Sequence, residues 1–328
     1  TGKTRTVTHR IAYGIATGHY AANRILALTY TNRAAGELRS RLRQLGAGSV
    51  SVKPFHAAAL SQLEFFWPQF AGVPAPSVLE SKARLIAEVA DGMKLKLDAG
   101  AIRDLAAEIE WRKYSMLSME DYADKVASRP RPGGISPAKN LELQQAYESA
   151  KIKAQKVDWE DVLVLTLGML QAEPRALAHV QQQYRFFTVD EYQDISPLQH
   201  ALLDVWLGEH SDICVVGDPN QTIYSFTGAS SEFLQGFGAR FPDSKIVQLT
   251  RNYRSSQQIV AFANRLTADS NSVEPLRSQQ EVGNAPRTLS FATVADECKT
   301  VASAIKTKLD QGISASDIAV LYRVNGQS

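Results

Sequence analysis

The sequence has few cysteines, no long apolar run and almost no excess of charge of either sign. Its two cysteines, Cys214 and Cys298, form no C-x-x-C pattern, which argues against a disulfide framework or a cysteine-based zinc site and favours a reducing cytosol. No run of about 18 apolar residues occurs, so no membrane-spanning helix is expected. With 36 Lys and Arg residues against 34 Asp and Glu residues, the net charge of +2 does not by itself indicate nucleic-acid binding.

What is present is the composition of an ordinary globular protein of roughly two domains, with 328 residues, 44% hydrophobic and 21% charged. Helix-like and strand-like patterns alternate at both ends of the first 250 residues, which predicts parallel α/β layering. Between them, residues 75–155 carry helical patterns with Pro and Gly punctuation, which predicts an all-helical insertion. The predicted helices are 7–16, one from Asn32, and 159–170, and the predicted strands are 24–30, 185–189 and 213–216.

A second domain is predicted to begin with a strand at residues 245–249. Ser255 is the predicted N-cap of the helix that follows. The remaining predicted elements are helices at 257–266 and 295–309 and strands at 288–291 and 318–322. The expected domains are a first α/β domain (1–74 and 156–244), the helical insertion (75–155) and part of a second α/β domain (245–328).

The sequence opens with Thr1-Gly2-Lys3-Thr4, the back half of a G-x-x-x-x-G-K-[ST] phosphate loop. Because the front half is missing, the chain is expected to be a fragment. In such a loop Gly2 lets the backbone approach the phosphates, Lys3 reaches the β- and γ-phosphates, and the Thr4 hydroxyl suits magnesium. Four residues also occur by chance, and the alternative interpretation is a plain helix start.

Paired carboxylates, Asp190 and Glu191, follow the predicted strand at 185–189 directly. This arrangement is typical of a site where Asp190 holds magnesium and Glu191 orients and deprotonates an attacking water. The alternative is an acidic helix start favoured by the helix dipole, which does not explain the coincidence with a phosphate loop.

Two later segments carry further candidates. After the strand at 213–216, Gln221 offers an amide that suits γ-phosphate sensing, while Tyr224 and Phe226 are spaced to stack on unpaired bases or, alternatively, to fill a core. Just before the next helix, Tyr253 and Arg254 suit adenine stacking and an arginine finger, against the alternative of a solvated helix start.

With these elements in this order, the chain resembles the UvrD/PcrA/Rep family of superfamily 1 DNA helicases almost from end to end. The matching segments are 1–13 (motif I), 28–35 (Ia), 55–56 (Ib), 157–162 (similar to the family's LDFDDL), 189–194 (II), 217–229 (III), 249–255 (IV) and 318–328 (IVa).

The resemblance implies a RecA-like P-loop NTPase domain with an all-helical insertion, followed by part of a second RecA-like domain, with ATP in the cleft between them. It also implies a cytoplasmic enzyme that uses ATP and Mg²⁺ to move three-prime to five-prime on single-stranded DNA and at single-strand/duplex junctions, in DNA repair or recombination, with repair proteins as possible partners and no membrane. The catalytic residues it implies are Glu191, Gln221 and Arg254, and the magnesium ligands are Thr4 and Asp190. The implied nucleotide contacts are Thr1, Gly2, Lys3, Thr4, Arg5 and Tyr253, and the implied DNA contacts are Thr31, Asn32, Phe55, His56, Tyr224 and Phe226.

Two positions depart from the family pattern. Thr227 stands where motif III has an arginine, and Pro54 stands where motif Ib has a threonine. Since the front of the phosphate loop and the later motifs are missing, the chain as given is not expected to hydrolyse ATP efficiently. The alternatives to a helicase are the motor subunit of a RecB- or AddA-type helicase–nuclease and a DNA-binding scaffold with a degenerate ATPase.

Overall fold

The computed structural model describes residues 2–268 and 274–322. The chain divides into two compact units, the first Thr1–Thr250 with Asp269–Glu274 and the second Arg251–Ala268 with Pro275–Ser328. Within the described ranges, no helix has the length and apolar character needed to cross a membrane.

A four-stranded parallel sheet forms the centre of the first unit, with strand order β2-β1-β5-β6. Its strands are β1 (Ile25–Thr29), β2 (Ser51–Pro54), β5 (Phe186–Val189) and β6 (Ile213–Val215), and a separate two-stranded sheet pairs β3 (Ser77–Val78) with β4 (Lys156–Val157). The helices are α1 (Lys3–Ala16), α2 (Asn32–Gln44), α3 (Phe55–Ala71), α4 (Lys82–Gly92), α5 (Ala99–Tyr114), α6 (Met119–Val126), α7 (Pro137–Lys153), α8 (Trp159–Ala172), α9 (Pro174–Gln183), α10 (Pro197–Leu207), α11 (Glu232–Gln235) and α12 (Phe237–Arg240). The predicted α/β fold class is confirmed.

Helices cover the sheet on both faces, which explains why all five residues of β1 are buried. Alternate residues of the strand belong to different clusters: Leu26 and Leu28 pack with α3, α8 and α10, whereas Ile25 and Ala27 pack with α1 and α2. The pairing register of the sheet places the last residues of β1, β5 and β6 nearly level with one another. The segments that follow these strands therefore meet at one edge of the sheet, where open α/β sheets bind ligands.

The helical insertion has its own core, in which α4, α5 and α7 contribute six buried residues: Ile86, Ala90, Leu105, Ile109, Leu143 and Tyr147. Helices α4 to α7 all lie within the predicted range of 75–155. The short pairing of β3 with β4 joins the start of this range to the residues just after it.

A group of charged side chains, three of them buried and two half-buried, joins the insertion to α8 and is here called the charge cluster. It consists of Lys113, Glu148, Lys151, Asp158 and Asp161. The Lys113 ammonium lies 2.7 Å from Asp158 Oδ2 and 2.6 Å from Asp161 Oδ1, and Lys151 bonds the same two carboxylates. Burial alone would lower the pKa of Lys113, but the three neighbouring carboxylates outweigh it and raise that pKa above its ordinary value. No local sequence pattern predicts this cluster.

The segment that resembles LDFDDL supplies the carboxylates of this junction. Asp158 and Asp161 cap α8 reciprocally, and both also belong to the charge cluster. Glu160 lies 2.6 Å from the Lys82 ammonium of α4. The segment is therefore one of the places where the insertion is joined to the α/β domain.

The second unit contains β7 (Arg251–Asn252), β8 (Arg277–Ser278), α13 (Gln257–Leu266) and α14 (Val294–Asp310), with β7 and β8 paired in parallel. Both predicted helices are confirmed, although the N-cap of α13 is Ser256, one residue later than predicted.

The predicted strands at 245–249, 288–291 and 318–322 are wrong, since these residues form no strand. Their apolar side chains are largely exposed, with Ile246 at 72% and Leu321 at 93%. A strand needs a neighbour to complete its hydrogen bonds, and the apolar pattern alone does not provide one.

Candidate functional site

The phosphate-loop remnant and the acidic pair meet at the carboxyl edge of the sheet. Lys3 Nζ lies 2.7 Å from Glu191 Oε2, and the Thr4 hydroxyl donates to Asp190 Oδ2 at 3.2 Å. The two segments are far apart in the sequence, and the parallel sheet brings them together because Asp190 leaves the end of β5 hydrogen-bonded to Leu28 of β1. Gly2, with φ of 97°, precedes α1 in the left-handed conformation that favours glycine.

The two carboxyl groups have opposite electrostatic surroundings. Burial and the neighbouring Glu191 carboxylate raise the pKa of Asp190 above its ordinary value. Burial would also raise the pKa of Glu191, but hydrogen bonds from Lys3 and Gln193 outweigh it and lower that pKa. Glu191 is therefore ionised at neutral pH and paired with a cation.

Glu191 is one of the few non-glycine residues with a left-handed backbone, at φ 52° and ψ 48°. Such a conformation costs about 1–3 kcal/mol and is held only where the surroundings impose it. Here the Glu191 N–H donates to Asp190 Oδ1 at 3.1 Å, and the Glu191 side chain is held by Lys3 and Gln193. The strain coincides with the predicted catalytic carboxylate.

Oxygen ligands for a cation are available at this edge. Thr4 Oγ1 and Asp190 Oδ2 are adjacent, so both can face one ion. Within residues 2–268 and 274–322, no group of three or more His, Cys, Asp or Glu side chains is arranged to hold a metal. Two protein oxygens fit magnesium, which usually keeps several waters and takes substrate phosphate oxygens as further ligands.

Gln193, which the sequence analysis missed, connects the acidic pair to the segment after β6. Its side-chain Nε2 donates to Glu191 Oε2 at 2.9 Å, and its side-chain Oε1 accepts from the Asp218 N–H at 3.1 Å. Asp218 in turn accepts from Gln221 Nε2 at 2.6 Å. The only sequence signal for Gln193 was its place in the run 189–194.

Gly217 permits this connection. A Cβ atom at Gly217 would lie 2.6 Å from Gln193 Oε1 and 2.7 Å from Leu234 Cδ2. The neighbouring Asp194 carboxylate accepts the Ile223 N–H at 3.2 Å. The loop that carries Tyr224 and Phe226 is therefore attached to motif II at two points.

An aromatic group lies on this loop. Tyr224 stacks on Tyr30 with ring centroids 4.3 Å apart, and Phe226, 62% exposed, lies 6.1 Å from Tyr224. Tyr30 directly follows β1 and was not singled out from the sequence. Burial raises the pKa of Tyr30 to about 12, so its hydroxyl stays neutral. Thr227, the departure from the family pattern, is buried and donates to the Tyr224 carbonyl at 2.8 Å.

The predicted DNA contacts after β2 have different environments. Phe55 is 5% exposed and stacks on Trp206, so its ring belongs to the core. His56 Nε2 is hydrogen-bonded to the hydroxyl of Tyr114 in α5 at 2.9 Å. Pro54 ends β2, an edge strand where a missing N–H is tolerated.

The other predicted residues are exposed. Thr31 caps α2 by accepting from the Ala34 N–H, and Asn32 beside it is open to solvent. Arg5 is exposed on the first turn of α1. On the second unit, Tyr253 and Arg254 are exposed between β7 and α13. Thr1 and residues 323–328 of the motif IVa match lie outside the described residues.

Comparison with known proteins gives two matching family models, which together span nearly the whole chain. The family model of the UvrD/REP helicase N-terminal domain matches residues 1–242, and that of the UvrD-like helicase C-terminal domain matches residues 247–328. The chain belongs to the UvrD/REP helicase family. Among UvrD-type relatives, the ATP-dependent DNA helicase UvrD2 of Mycobacterium tuberculosis (strain ATCC 25618 / H37Rv) is 42% identical over 100% of this chain and 49% of its own length.

PcrA helicases are also similar. The ATP-dependent DNA helicases PcrA of Leuconostoc citreum and Bacillus subtilis (strain 168) are 32% and 29% identical, each over 100% of this chain and 44% of its own length. This UvrD-family chain thus spans about half the length of the curated relatives that it matches.

Proposed function

We propose that the full-length protein is an ATP-dependent helicase or translocase that moves three-prime to five-prime on single-stranded DNA. The observation that carries the proposal is the juxtaposition of Lys3 with Glu191 and of Thr4 with Asp190. Gln193 and Asp194 then link this site to the loop of Tyr224 and Phe226. A nucleotide site joined to a loop with an exposed phenylalanine and a half-buried tyrosine suits an ATP-driven motor that grips unpaired bases.

In this proposal each site residue has one chemical task. Lys3 neutralises the β- and γ-phosphates, and Glu191 orients and deprotonates the attacking water. Gln221 contacts the γ-phosphate or that water. Thr4 and Asp190 would hold Mg²⁺, which supplies charge neutralisation when bound. Gly2 and Tyr253 are proposed as nucleotide contacts and Arg254 as the arginine finger, from the sequence pattern and the family resemblance together. Thr1 and Arg5 are proposed as nucleotide contacts from the resemblance alone.

The ion pair between Lys3 and Glu191 implies an order of events, in which phosphate binding to Lys3 precedes the action of Glu191 as a base. A phosphate chain that takes over Lys3 removes a hydrogen-bond donor from Glu191. Glu191 Oε2 then retains the Gln193 donor and can accept a hydrogen bond from the attacking water in place of Lys3.

On the DNA side, we propose Tyr224 and Phe226 as the base-stacking pair, supported from behind by Tyr30. Thr31, Asn32 and His56 are proposed to contact the strand's backbone. Phe55, also expected to stack on a base, would have to leave its contact with Trp206 to do so.

The proposed setting is the bacterial cytosol, with single-strand/duplex junctions as substrates, repair proteins as partners and a role in repair or recombination. A motor subunit of a RecB- or AddA-type helicase–nuclease is the second candidate, because the same two sites would serve it. The degenerate scaffold is disfavoured by the paired Lys3 and Glu191.

The test is ATP hydrolysis by the full-length protein with and without single-stranded DNA. We expect strong stimulation by the strand, and a loss of about 100-fold or more in Glu191→Gln with ATP binding retained. Glu209→Gln, a change at an exposed glutamate remote from these contacts, is the control. Hydrolysis that ignores DNA would remove the motor interpretation, and hydrolysis that survives Glu191→Gln would remove the assigned base.

A further inference from the structure

The C-terminal end of α5 contacts three different regions through Lys113, Tyr114 and the C-cap residue Ser115. Lys113 belongs to the charge cluster, and the Tyr114 hydroxyl bonds His56 Nε2 at 2.9 Å. Ser115 abuts Gly228 at the end of the aromatic loop: a Cβ atom at Gly228 would lie 3.1 Å from Ser115 Oγ and 3.6 Å from Tyr114 Cβ. A helix of the insertion thus reaches both segments that are proposed to face DNA.

We propose that this turn, Lys113 to Ser115, positions the DNA-facing residues, and that Tyr114 is the positioning residue for His56. The inference rests on the proposed function, because it concerns the grip on single-stranded DNA. It gives the helical insertion a task in strand binding.

The first support is the way in which His56 is enclosed. The Tyr114 ring meets the imidazole edge-on at 6.1 Å, and Trp159 of α8 meets it edge-on at 6.1 Å as well. Burial and the nearby Lys82 ammonium lower the pKa of His56 to about 4, so the ring is neutral at physiological pH. A neutral imidazole has one donor and one acceptor nitrogen, and its tautomer is set by the bond that the other nitrogen makes.

The second support is the tautomer of His56 that the Tyr114 hydroxyl can select. When the hydroxyl donates to His56 Nε2, the imidazole proton resides on Nδ1, and the Nδ1–H can donate to a phosphate oxygen. Without the hydroxyl, nothing selects this tautomer, although the Tyr114 and Trp159 rings still enclose the imidazole. In this tautomer Tyr114 prepares a hydrogen-bond donor for the strand without touching the strand itself.

The third support is the anchorage of the turn. Lys113 is 5% exposed and bonds carboxylates of both α7 and α8, so the residue before Tyr114 is fixed from two sides. The Ser115 N–H and Met116 N–H close the turn on the carbonyls of Trp111 and Lys113. Tyr114 is thus held between two fixed neighbours.

The experiment compares Tyr114→Phe with the matched control Tyr122→Phe in the full-length protein. Tyr122 is a fully buried tyrosine of the same insertion, and its hydroxyl bonds Glu108 and Asn140 instead of a DNA-facing residue. Binding of a fluorescent oligothymidine is measured by anisotropy at fixed salt, and DNA-stimulated ATP hydrolysis is titrated with the same strand. Loss of one neutral hydrogen bond predicts about fivefold weaker binding in Tyr114→Phe.

The same change should raise the DNA concentration for half-maximal ATPase about fivefold and leave kcat at saturating DNA intact. Tyr122→Phe should bind like the wild type. In a His56→Gln background, Tyr114→Phe should cause no further loss, since its effect passes through His56. Wild-type affinity in Tyr114→Phe, an equal loss in Tyr122→Phe, or additive losses with His56→Gln would each overturn the proposal. If the wild type itself does not bind the strand, it is the proposed function that fails.

Discussion

Replacing Asp158 with Asn removes one negative charge from the charge cluster while preserving most of its shape. Asp158 Oδ2 accepts from Lys113 at 2.7 Å, from Lys151 at 3.1 Å and from the Tyr147 hydroxyl at 3.0 Å. Its other oxygen caps α8 through the Asp161 N–H, and asparagine caps helices equally well. The cap is therefore retained, while the amide NH2 replaces the oxygen that accepts from Lys113, Lys151 and Tyr147, so the change removes both the charge and that acceptor.

The expected cost follows from burial. The side chains of Asp158 and Lys151 are each 2% exposed, so no water replaces the lost carboxylate. Removing one partner of a buried ion pair typically costs about 3–5 kcal/mol. Since Asp161 and Glu148 still bond both ammonium groups, we expect the lower end, about 3 kcal/mol in the free energy of unfolding.

Urea unfolding followed by tryptophan fluorescence measures this cost. The four tryptophans, residues 67, 111, 159 and 206, all lie in the first unit, so the signal reports on the unit that contains the cluster. The matched control is Glu142→Gln, which breaks the pair with Lys139 at side-chain exposures of 48% and 53% and should cost less than about 1 kcal/mol. Equal midpoints for the two variants, with unchanged slopes, would refute the reasoning.

Three further outcomes are expected. Gly217→Ala should lower the free energy of unfolding of the first unit by about 1–3 kcal/mol, because the new Cβ would collide with Gln193. Gly36→Ala is the control, since Gly36 lies inside α2 with open space around it and its replacement should not lower the stability. Thermal melts of both variants test this. Phe226→Ala in the full-length protein should reduce translocation more than ATPase, since base stacking is worth about 1–3 kcal/mol; an equal loss of both in stopped-flow translocation and ATPase assays would indicate misfolding instead. Because the pKa of His56 is lowered to about 4, its contribution to stability is complete above the unfolded pKa of about 6.5 and is lost as the pH falls toward 4, by about 3 kcal/mol. Urea titrations between pH 6.5 and pH 4 should show that the free energy of unfolding falls more steeply with pH in the wild type than in His56→Gln. Parallel pH dependences in the two proteins would contradict the lowered pKa of His56.

The elements that could be predicted from the sequence are those whose signal is local. The run ending in Asp190 and Glu191 is a buried strand followed by polar residues, and Gln257–Leu266 has a helical pattern with matching boundaries. The meeting of Lys3 with Glu191 followed from the order of motifs in the family resemblance, because nothing local connects the two segments.

Other features depend on tertiary packing and leave no local signal. Lys113 and Lys151 look like solvated lysines of amphipathic helices, and only the packing of α5, α7 and α8 buries them. Phe55 was expected to face bases, yet the same ring fills a space beside Trp206. Residues 318–322 have the apolar character of a strand, but strand formation also requires a paired neighbour.

Shared pairing in the charge cluster also restricts how this chain evolves. Each ammonium bonds several carboxylates, so a change at one position alters the surroundings of all the others. A single loss of charge leaves the remaining ions with fewer counterions in a buried setting, whereas replacing the set by apolar residues of similar volume need not destabilise the fold. We therefore expect Lys113, Lys151 and Asp158 to be replaced together more often than singly in related chains.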